Sequence, residues 1–346
     1  MAKGQRRTNT DVCLTKGALM ARKKIIQAIN DALVEEMARD PKVILFGEDV
    51  EMSLFGDTKG LHKRFGSKQI RNTPISENII AGSAVGAAAA GYRVICHMMY
   101  GNFMYTGMDA IANQAAKLHY MTGGQIKLPI VFIGVIGGGR SAGAQHSDSM
   151  HSMFMNLGGL KVVIPTTPAD AKGLLKASIR DDNPVVFLQA AGRGGDSGEV
   201  PEGEYIIPLG VAEIRRPGKD ITIVAIGSMV KTALRAADEL AKQGIDAEVL
   251  DPRTLIPLDE DAILKSVTKT RRLVVVDEAR QRCSAASEIA AVVAEKAFPM
   301  LRAAIRRVTV PDVALPFSPP LEKLCIPDVA HLIKVVQQTC NDKVSR

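Results

Sequence analysis

The chain has 346 residues but no tryptophan, few aromatic residues and only five cysteines. The number of cysteines is odd, and no two of them form a Cys-x-x-Cys pair (Cys13, Cys96, Cys283, Cys325 and Cys340). This pattern argues against a disulfide framework and against a zinc-thiolate site, and it is typical of reduced thiols. We therefore expect a cytoplasmic protein.

Long apolar runs are also missing. No run reaches the roughly 18 residues of a membrane-spanning helix, and no apolar segment follows the basic residues Lys3, Arg6 and Arg7 as it would in a signal peptide. The net charge is +7, but no basic stripe interleaved with aromatic residues is present. We therefore expect neither membrane nor nucleic-acid binding, and a basic surface that faces an acidic partner subunit remains possible.

Helical and strand-like patterns alternate along the chain. Ile25, Ile29 and Leu33 share one face of a first amphipathic helix, and a short apolar strand follows at 43–46. Further continuous apolar strands alternate with helices to the end of the chain, which is typical of parallel sheets covered on both faces. The other predicted strands are 92–96, 130–135, 161–164, 185–189, 221–226, 247–250, 273–276 and 305–310.

The pattern predicts an α/β protein with two doubly wound domains. A stretch rich in Gly, Glu, Asp and Pro, without periodicity, separates them. The predicted parts are a disordered basic tail (1–20), a first domain (21–195), a linker (196–209) and a second domain (210–342).

Glu77 stands where Thr73-Pro74-Ile75-Ser76 turns into a helix of small and aliphatic residues that runs to Gly91. A helix without a polar face is expected to be buried, so Glu77 would lie in a poorly solvated place. Desolvation there would favour the protonated form of its carboxyl group. Two interpretations remain open: Glu77 stabilises the helix N-terminus through the helix dipole, or it takes part in chemistry.

Other polar residues follow the predicted strands directly. Glu48 and His97 come after the strands at 43–46 and 92–96, and His146 follows the loop Gly137–Gly143. The carboxyl ends of parallel strands are where ligands bind in open α/β sheets. His146 is a natural general acid or base, although most loop histidines are solvated bystanders. The glycine-rich loop could cradle a phosphate, but it is neither a GxGxxG nor a Walker motif.

Six motifs occur in a fixed order along the chain. They are Gly47-Glu48-Asp49-Val50, Thr73-Pro74-Ile75-Ser76-Glu77, Ala144-Gln145-His146-Ser147, Asp170–Leu175, Ile179–Pro184 and Pro316–Glu322. Together they are similar to the β subunit of the thiamine-diphosphate-dependent, decarboxylating component of 2-oxoacid dehydrogenase complexes, from about Ala21 onward. Within that family, Val274–Ala279 and Asp251–Thr254 resemble acetoin dehydrogenases most, with pyruvate dehydrogenases close.

The resemblance implies roles for individual residues and a transketolase-like fold in both domains, the first of which binds the cofactor's pyrimidine. Glu77 would hydrogen-bond the aminopyrimidine ring and promote loss of the proton from the thiazolium carbon. His146 would handle the acyl group during its transfer to a lipoyl group. The cofactor pocket would include Glu48, Ile75, Glu77, Met99 and Phe103. A potassium ion would be held, largely by backbone oxygens, at Ile130, Ser178, Asp181 and Asn183.

One family feature of thiamine enzymes is missing. They anchor the diphosphate through Mg²⁺ at a Gly-Asp-Gly motif, and Gly56-Asp57 and Gly195-Asp196 are not followed by glycine. The resemblance therefore implies that this chain holds half of a site. An α subunit would supply the Mg²⁺ and diphosphate half in an α₂β₂ assembly, and a dihydrolipoyl acyltransferase with its lipoyl domain would accept the acyl group.

Two departures leave the small-molecule substrate open. His97 occupies a position that is usually acidic in the family, and Asp148 one that is usually glutamine.

Two other functions also stay open. One is a split, transketolase-like carbon–carbon transferase subunit without lipoyl transfer, and the other is a noncatalytic α/β binding subunit.

Overall fold

The computed structural model describes residues 19–342, so the predicted basic tail lies almost wholly outside the described residues. The strands are β1 (Met20–Lys24), β2 (Val43–Gly47), β3 (Ile70–Asn72), β4 (Arg93–Tyr100), β5 (Ile130–Ile136), β6 (Lys161–Val163), β7 (Val185–Ala190), β8 (Ser197–Pro201), β9 (Glu213–Arg216), β10 (Ile221–Ala225), β11 (Ala247–Asp251), β12 (Thr254–Ile256), β13 (Leu273–Arg280) and β14 (Arg306–Val310). The α-helices are α1 (Ile25–Arg39), α2 (Leu61–Phe65), α3 (Glu77–Ala89), α4 (Leu118–Met121), α5 (His151–Met155), α6 (Pro168–Arg180), α7 (Met229–Ala241), α8 (Glu260–Thr270), α9 (Ala285–Ala297), α10 (Pro319–Cys325) and α11 (Val329–Asn341).

A seven-stranded sheet forms the first half of the molecule, with the strand order β12-β6-β7-β5-β4-β2-β3. All its strands are parallel except β12, which pairs antiparallel with β6. A short strand from the second half of the chain therefore completes the sheet of the first half. Residues 254–256 are too few to show a clear pattern in the sequence, and the prediction missed this strand.

Helices cover both faces of this sheet, as the apolar strands predicted. Val131 and Ile133 of β5 face the core that α1 and α6 share, whereas Ile130 and Phe132 face α3. Successive side chains of a strand point to opposite faces, so a continuous apolar run is what a doubly covered strand needs.

The second half contains a five-stranded sheet with the order β14-β13-β10-β11-β9, in which only β9 is antiparallel. Helices α7 and α11 pack on one face, while α8 and α9 pack on the face toward the first sheet. One continuous apolar core joins residues of both sheets. The predicted fold class, with two doubly wound units, is confirmed.

In two segments the observed secondary structure differs from the prediction. The proposed linker contains β8, which pairs antiparallel with β1. The helix expected at about 106–120 is a series of short turns: a 3₁₀ helix at Gly101–Tyr105, a π-helix at Ala110–Ala115 and then α4. Between residues 19 and 342, no helix is both long enough and apolar enough to cross a membrane.

Candidate functional site

The candidate site lies at the carboxyl edge of the first sheet, where β2, β4 and the start of α3 meet. Gly47 ends β2 directly beside His97 of β4. A Cβ atom at Gly47 would lie 2.2 Å from the carbonyl oxygen of His97, so only glycine allows this approach. The close contact brings Glu48 to the same edge as Glu77.

Glu77 is the first residue of α3 and is half-buried. The hydroxyl of Thr106 donates a hydrogen bond to Glu77 Oε2 at 3.1 Å, and the same hydroxyl lies 2.8 Å from the carbonyl oxygen of Phe103. The N-cap residue, Ser76, makes no side-chain cap. Among residues 19–342, no hydrogen bond reaches the other carboxylate oxygen of Glu77, which lies beside the segment that carries Phe103.

Within this chain alone, helix α3 is buried on one face only and not on all sides as expected. Ile80, Ala84 and Ala88 pack in the core. The opposite face is exposed and consists almost entirely of apolar or small residues: Asn78, Ile79, Gly82, Ser83, Gly86 and Ala89. An amphipathic pattern cannot show such an arrangement, because both faces have the same composition.

Glu48 is the more enclosed of the two acids, with 8% of its surface exposed. Its Oε1 atom has no hydrogen-bond partner among the described residues. Burial raises the pKa of Glu48, and the carboxylates of Glu77 and Asp49 raise it further, against the opposing effect of His97. An unpartnered buried carboxyl group costs free energy, so its retention points to a ligand that pairs with it.

Aromatic rings line the space next to the acids. His146 packs edge-to-face on Tyr100, with ring centroids 4.7 Å apart, and on Phe103, with centroids 5.2 Å apart. Phe55 adds a further ring against Tyr100 at 5.4 Å. Phe103 and His146 are both half-buried. His146, Phe103 and Glu77 lie on separate segments of the sequence, and the structure thus brings them together.

The two remaining residues of the predicted pocket lie in different environments. Met99 is nearly buried, with 9% exposed, and its backbone is left-handed with a φ of 56°. Ile75 precedes α3 and is 81% exposed. In this chain alone, Ile75 therefore lies at the rim of the site and not inside it.

The glycine-rich loop does not form a phosphate cradle. The backbone N–H of Gly138 donates to Glu278 at 2.5 Å, and the N–H groups of Gly139 and Ser141 donate to Glu322 at 2.9 Å. Both acids come from the second half of the chain. The loop N–H groups therefore bind carboxylates of the same molecule. These contacts exclude the phosphate-binding role that the sequence left open for the loop.

Asp148 is paired with two side chains, one from each half of the molecule. Its carboxylate accepts hydrogen bonds from Asn102 at 2.9 Å and from Arg280 at 2.8 Å. Arg280 belongs to β13 of the second half. Asp148 thus ties the loop that carries His146 to the neighbouring half of the molecule.

The residues expected to hold potassium lie at the opposite edge of the sheet, where β5 begins at Ile130. Asp181 Oδ1 accepts hydrogen bonds from the backbone N–H and the side-chain amide of Asn183, at 2.9 and 3.0 Å. The Ser178 hydroxyl donates to a carbonyl oxygen one helical turn back. Arg93 donates to the carbonyl oxygen of Asp181 at 3.0 Å, so this guanidinium supplies positive charge there. The potassium site stays a prediction.

Sequence reasoning placed Tyr100 at the end of its strand but missed other residues of the site. Phe55 and Thr106 join it through contacts with residues far along the chain, and Asp57 lies buried beneath it. A strand end identifies the positions that follow it, but it does not identify which loop folds over them. No sequence signal used above could have found Asp57.

The two halves match two descriptions of protein families. Residues 22–191 match "Transketolase, pyrimidine binding domain", and residues 210–332 match "Transketolase, C-terminal domain". A solved structure described as a split-gene transketolase, an inactive β4 tetramer, superposes with a TM-score of 0.77 at 23% identity. It covers 93% of this chain and 99% of its own, and it supports the fold alone.

Curated relatives are considerably more similar. The chain is 48% identical to the β subunit of acetoin:2,6-dichlorophenolindophenol oxidoreductase of Cupriavidus necator, over 92% of this chain and 98% of the relative. It is 46% identical to the pyruvate dehydrogenase E1 component β subunit of Rickettsia felis, over 91% and 97%. The corresponding subunit of Rhizobium meliloti is 42% identical over 96% and 73%.

Proposed function

Because this chain belongs to the family of acetoin and pyruvate dehydrogenase β subunits, we propose that it is the β subunit of a thiamine-diphosphate-dependent oxidoreductase component. That component cleaves acetoin or decarboxylates a 2-oxoacid and passes the acyl group to a lipoyl group. The family recognised from the ordered motifs is confirmed. A transketolase-like transferase and a noncatalytic binding subunit are not favoured, because the relatives with the higher identities are dehydrogenase subunits.

The observation that carries the proposal is the meeting of Glu77, Glu48 and the Phe103–His146 pair at one sheet edge. The residues fit the pyrimidine half of the cofactor: a flat aromatic face at Phe103, a carboxylate with a free oxygen at Glu77, and a buried carboxyl group at Glu48 whose Oε1 lacks a partner. When bound, thiamine diphosphate supplies the carbon nucleophile that the reaction requires. Met99 and Ile75 would complete the pocket from below and from the rim.

We assign a proton-holding role to Glu77 and to His146. Glu77 would keep a proton between its free oxygen and the pyrimidine nitrogen, which requires that the partner chain shield it from water. His146, packed on two aromatic rings, would donate a proton to the lipoyl sulfur that is released as a thiol when the other lipoyl sulfur takes up the acyl group.

The diphosphate half is proposed to come from an α subunit. Among residues 19–342, no cluster of three or more His, Cys, Asp or Glu side chains could hold a metal ion, and the sequence lacks Gly-Asp-Gly. The exposed face of α3 and the exposed Ile75 border the site, and a groove of about 470 Å³ lies next to them. An α subunit that covers this face, carries Mg²⁺ and closes the site would give an α₂β₂ assembly.

The test is to substitute Glu77→Gln in a complex reconstituted with the α subunit. Turnover with acetoin and with pyruvate is measured with a lipoylated acyltransferase domain as acceptor, and assembly is followed by gel filtration. We expect turnover to fall at least about a hundredfold, because an amide cannot hold the proton, while assembly is unchanged. The chain without its partner serves as the inactive control.

Unchanged turnover in Glu77→Gln would contradict the assignment of Glu77. Full activity without any lipoyl acceptor, by transfer of the two-carbon unit to an aldehyde, would favour the transferase instead. The ratio of acetoin to pyruvate turnover decides the substrate.

A further inference from the structure

A buried histidine–carboxylate pair lies directly behind the site. His97 Nε2 is 3.0 Å from Asp57 Oδ2, and their side chains are only 3% and 2% exposed. The side-chain amide of Gln189 donates to the same carboxylate oxygen at 3.1 Å. A buried carboxylate is costly unless it is well paired, so these contacts are specific features of this core.

The other nitrogen of His97 contacts the backbone of the site. The N–H of Met99 donates to His97 Nδ1 at 3.3 Å. The pairing of β4 with β5 shifts its register between His97 and Tyr100, and Met99 has left-handed backbone dihedrals at this point. A β-bulge changes the direction of the side chains that follow it. The imidazole therefore braces the bulge that directs Met99 and Tyr100 toward the site.

The two contacts of His97 depend on each other. Nδ1 can accept from Met99 only when it carries no proton, so the imidazole proton must be on Nε2. The carboxylate of Asp57 accepts a hydrogen bond from this Nε2–H and so favours the tautomer that carries it. Burial alone would raise the pKa of Asp57, but the interactions with His97 and Gln189 outweigh burial and hold the pKa below its usual value. Asp57 therefore stays ionised around neutral pH.

We propose that His97 and Asp57 form a positioning pair that fixes the β4 bulge and thereby places Met99 and Tyr100 against the cofactor. The inference rests on the proposed function for the identity of that cofactor. Neither residue is assigned contact with the reacting atoms. The alternative is that His97 only fills space beside Phe55, whose ring centroid is 6.0 Å from that of His97.

Two substitutions distinguish the contribution of the Nδ1 contact from that of the Nε2 contact. In His97→Asn, the side-chain carbonyl can replace Nδ1 as the acceptor for Met99, but nothing reaches Asp57. In His97→Gln, the side-chain amide can replace Nε2 as the donor to Asp57, but the contact with Met99 is lost. Asp57→Asn, which keeps its size, removes the charge that selects the tautomer and is the second test if one His97 variant fails to fold.

The reconstituted complex is examined by two measurements. Hydrogen exchange of the peptide that spans 97–100 reports on the bulge without any cofactor, and calorimetric titration with thiamine diphosphate and Mg²⁺ reports affinity. We expect His97→Gln to speed exchange and weaken cofactor affinity, each about tenfold, as expected for one lost buried hydrogen bond. We expect His97→Asn to stay within about threefold of the wild type, and Asp57→Asn to shift both readouts in the direction of His97→Gln.

Equal exchange in the two His97 variants, or a larger effect in His97→Asn, would overturn the positioning proposal. A wild-type complex that binds no thiamine diphosphate would instead overturn the proposed function, and hydrogen exchange would still decide whether His97 braces the bulge. The two failures are therefore distinguishable.

Discussion

At the scale of single residues, the two acids of the site differ in what encloses them. Glu77 is half-buried and hydrogen-bonded to Thr106, whereas Glu48 is buried and has an oxygen without a partner. Burial raises the pKa of Glu48, and the carboxylate of Glu77 adds to this effect. A carboxyl group with a raised pKa is uncharged for more of the time, and an amide has nearly the same shape as the uncharged form.

Glu48→Gln is therefore expected to be mild compared with Glu77→Gln. We predict that the reconstituted complex keeps at least about a tenth of its turnover when Glu48 is replaced, because burial shifts that carboxyl group toward its neutral form, which an amide resembles. Steady-state kinetics of both variants at the same thiamine diphosphate concentration provide the comparison. Losses of equal size would show that Glu48 must be ionised, or that it transfers a proton itself.

At the scale of elements, α3 combines a conventional core face with an exposed face of small residues. Apart from the backbone of the helix itself, no atom of residues 19–342 would lie within 4 Å of a Cβ atom at Gly82 or Gly86, so the described part of the chain does not require glycine there. Glycine in a helix interior costs about 0.5–1 kcal/mol relative to alanine. Its presence on an exposed face indicates that another surface approaches the helix backbone closely.

Two substitutions at Gly86 test this interpretation. Gly86→Ala is expected to stabilise the isolated chain by about 0.5–1 kcal/mol, measured by chemical unfolding, because alanine favours the helix. Gly86→Leu is expected to leave the isolated chain folded but to prevent assembly with the α subunit, followed by gel filtration. If the leucine variant assembled like the wild type, the partner would have to bind elsewhere.

At the scale of the whole molecule, carboxylates of the second half are held beneath the glycine-rich loop of the first. Glu278 accepts from Gly138 and from the Ser228 hydroxyl, and burial is the main cause that raises its pKa. The nearby Asp277 adds to the increase, and its partner His151 opposes it. The junction between the two halves therefore favours the protonated form of Glu278.

The raised pKa of Glu278 makes its contribution to the stability of the folded chain depend on pH in a predictable direction. The usual pKa of a glutamate is 4.5, and that of Glu278 is higher in the folded chain. The stabilisation from its protonated form is complete below pH 4.5 and is lost as the pH rises through the folded pKa. The glutamine of Glu278→Gln does not ionise, so that variant keeps its stability as the pH rises.

The unfolding temperature of Glu278→Gln relative to the wild type should therefore rise between pH 4.5 and pH 7. Differential scanning calorimetry of both proteins across this range is the measurement. A difference that stays constant or falls with pH would mean that Glu278 is ionised at the junction.

The sequence by itself determined most of the longer helices and strands and the family. Apolar periodicity over a few residues identifies helices and strands, and the order of strands and helices identifies the doubly wound fold. It also placed Glu48, His97 and His146 after strands, and parallel strands bring such positions to one edge. The motifs around Glu77 carried the resemblance to the dehydrogenase β subunits.

Only the tertiary structure decided which groups satisfy one another. The partner of Gly138 is Glu278, which is 140 residues away, and Asp57 is 40 residues from His97. The exposure of α3 and the antiparallel addition of β12 to the first sheet likewise depend on where distant segments pack. Local patterns record how each segment buries its own apolar atoms, whereas the pairing of buried polar groups is fixed when those segments come together in three dimensions.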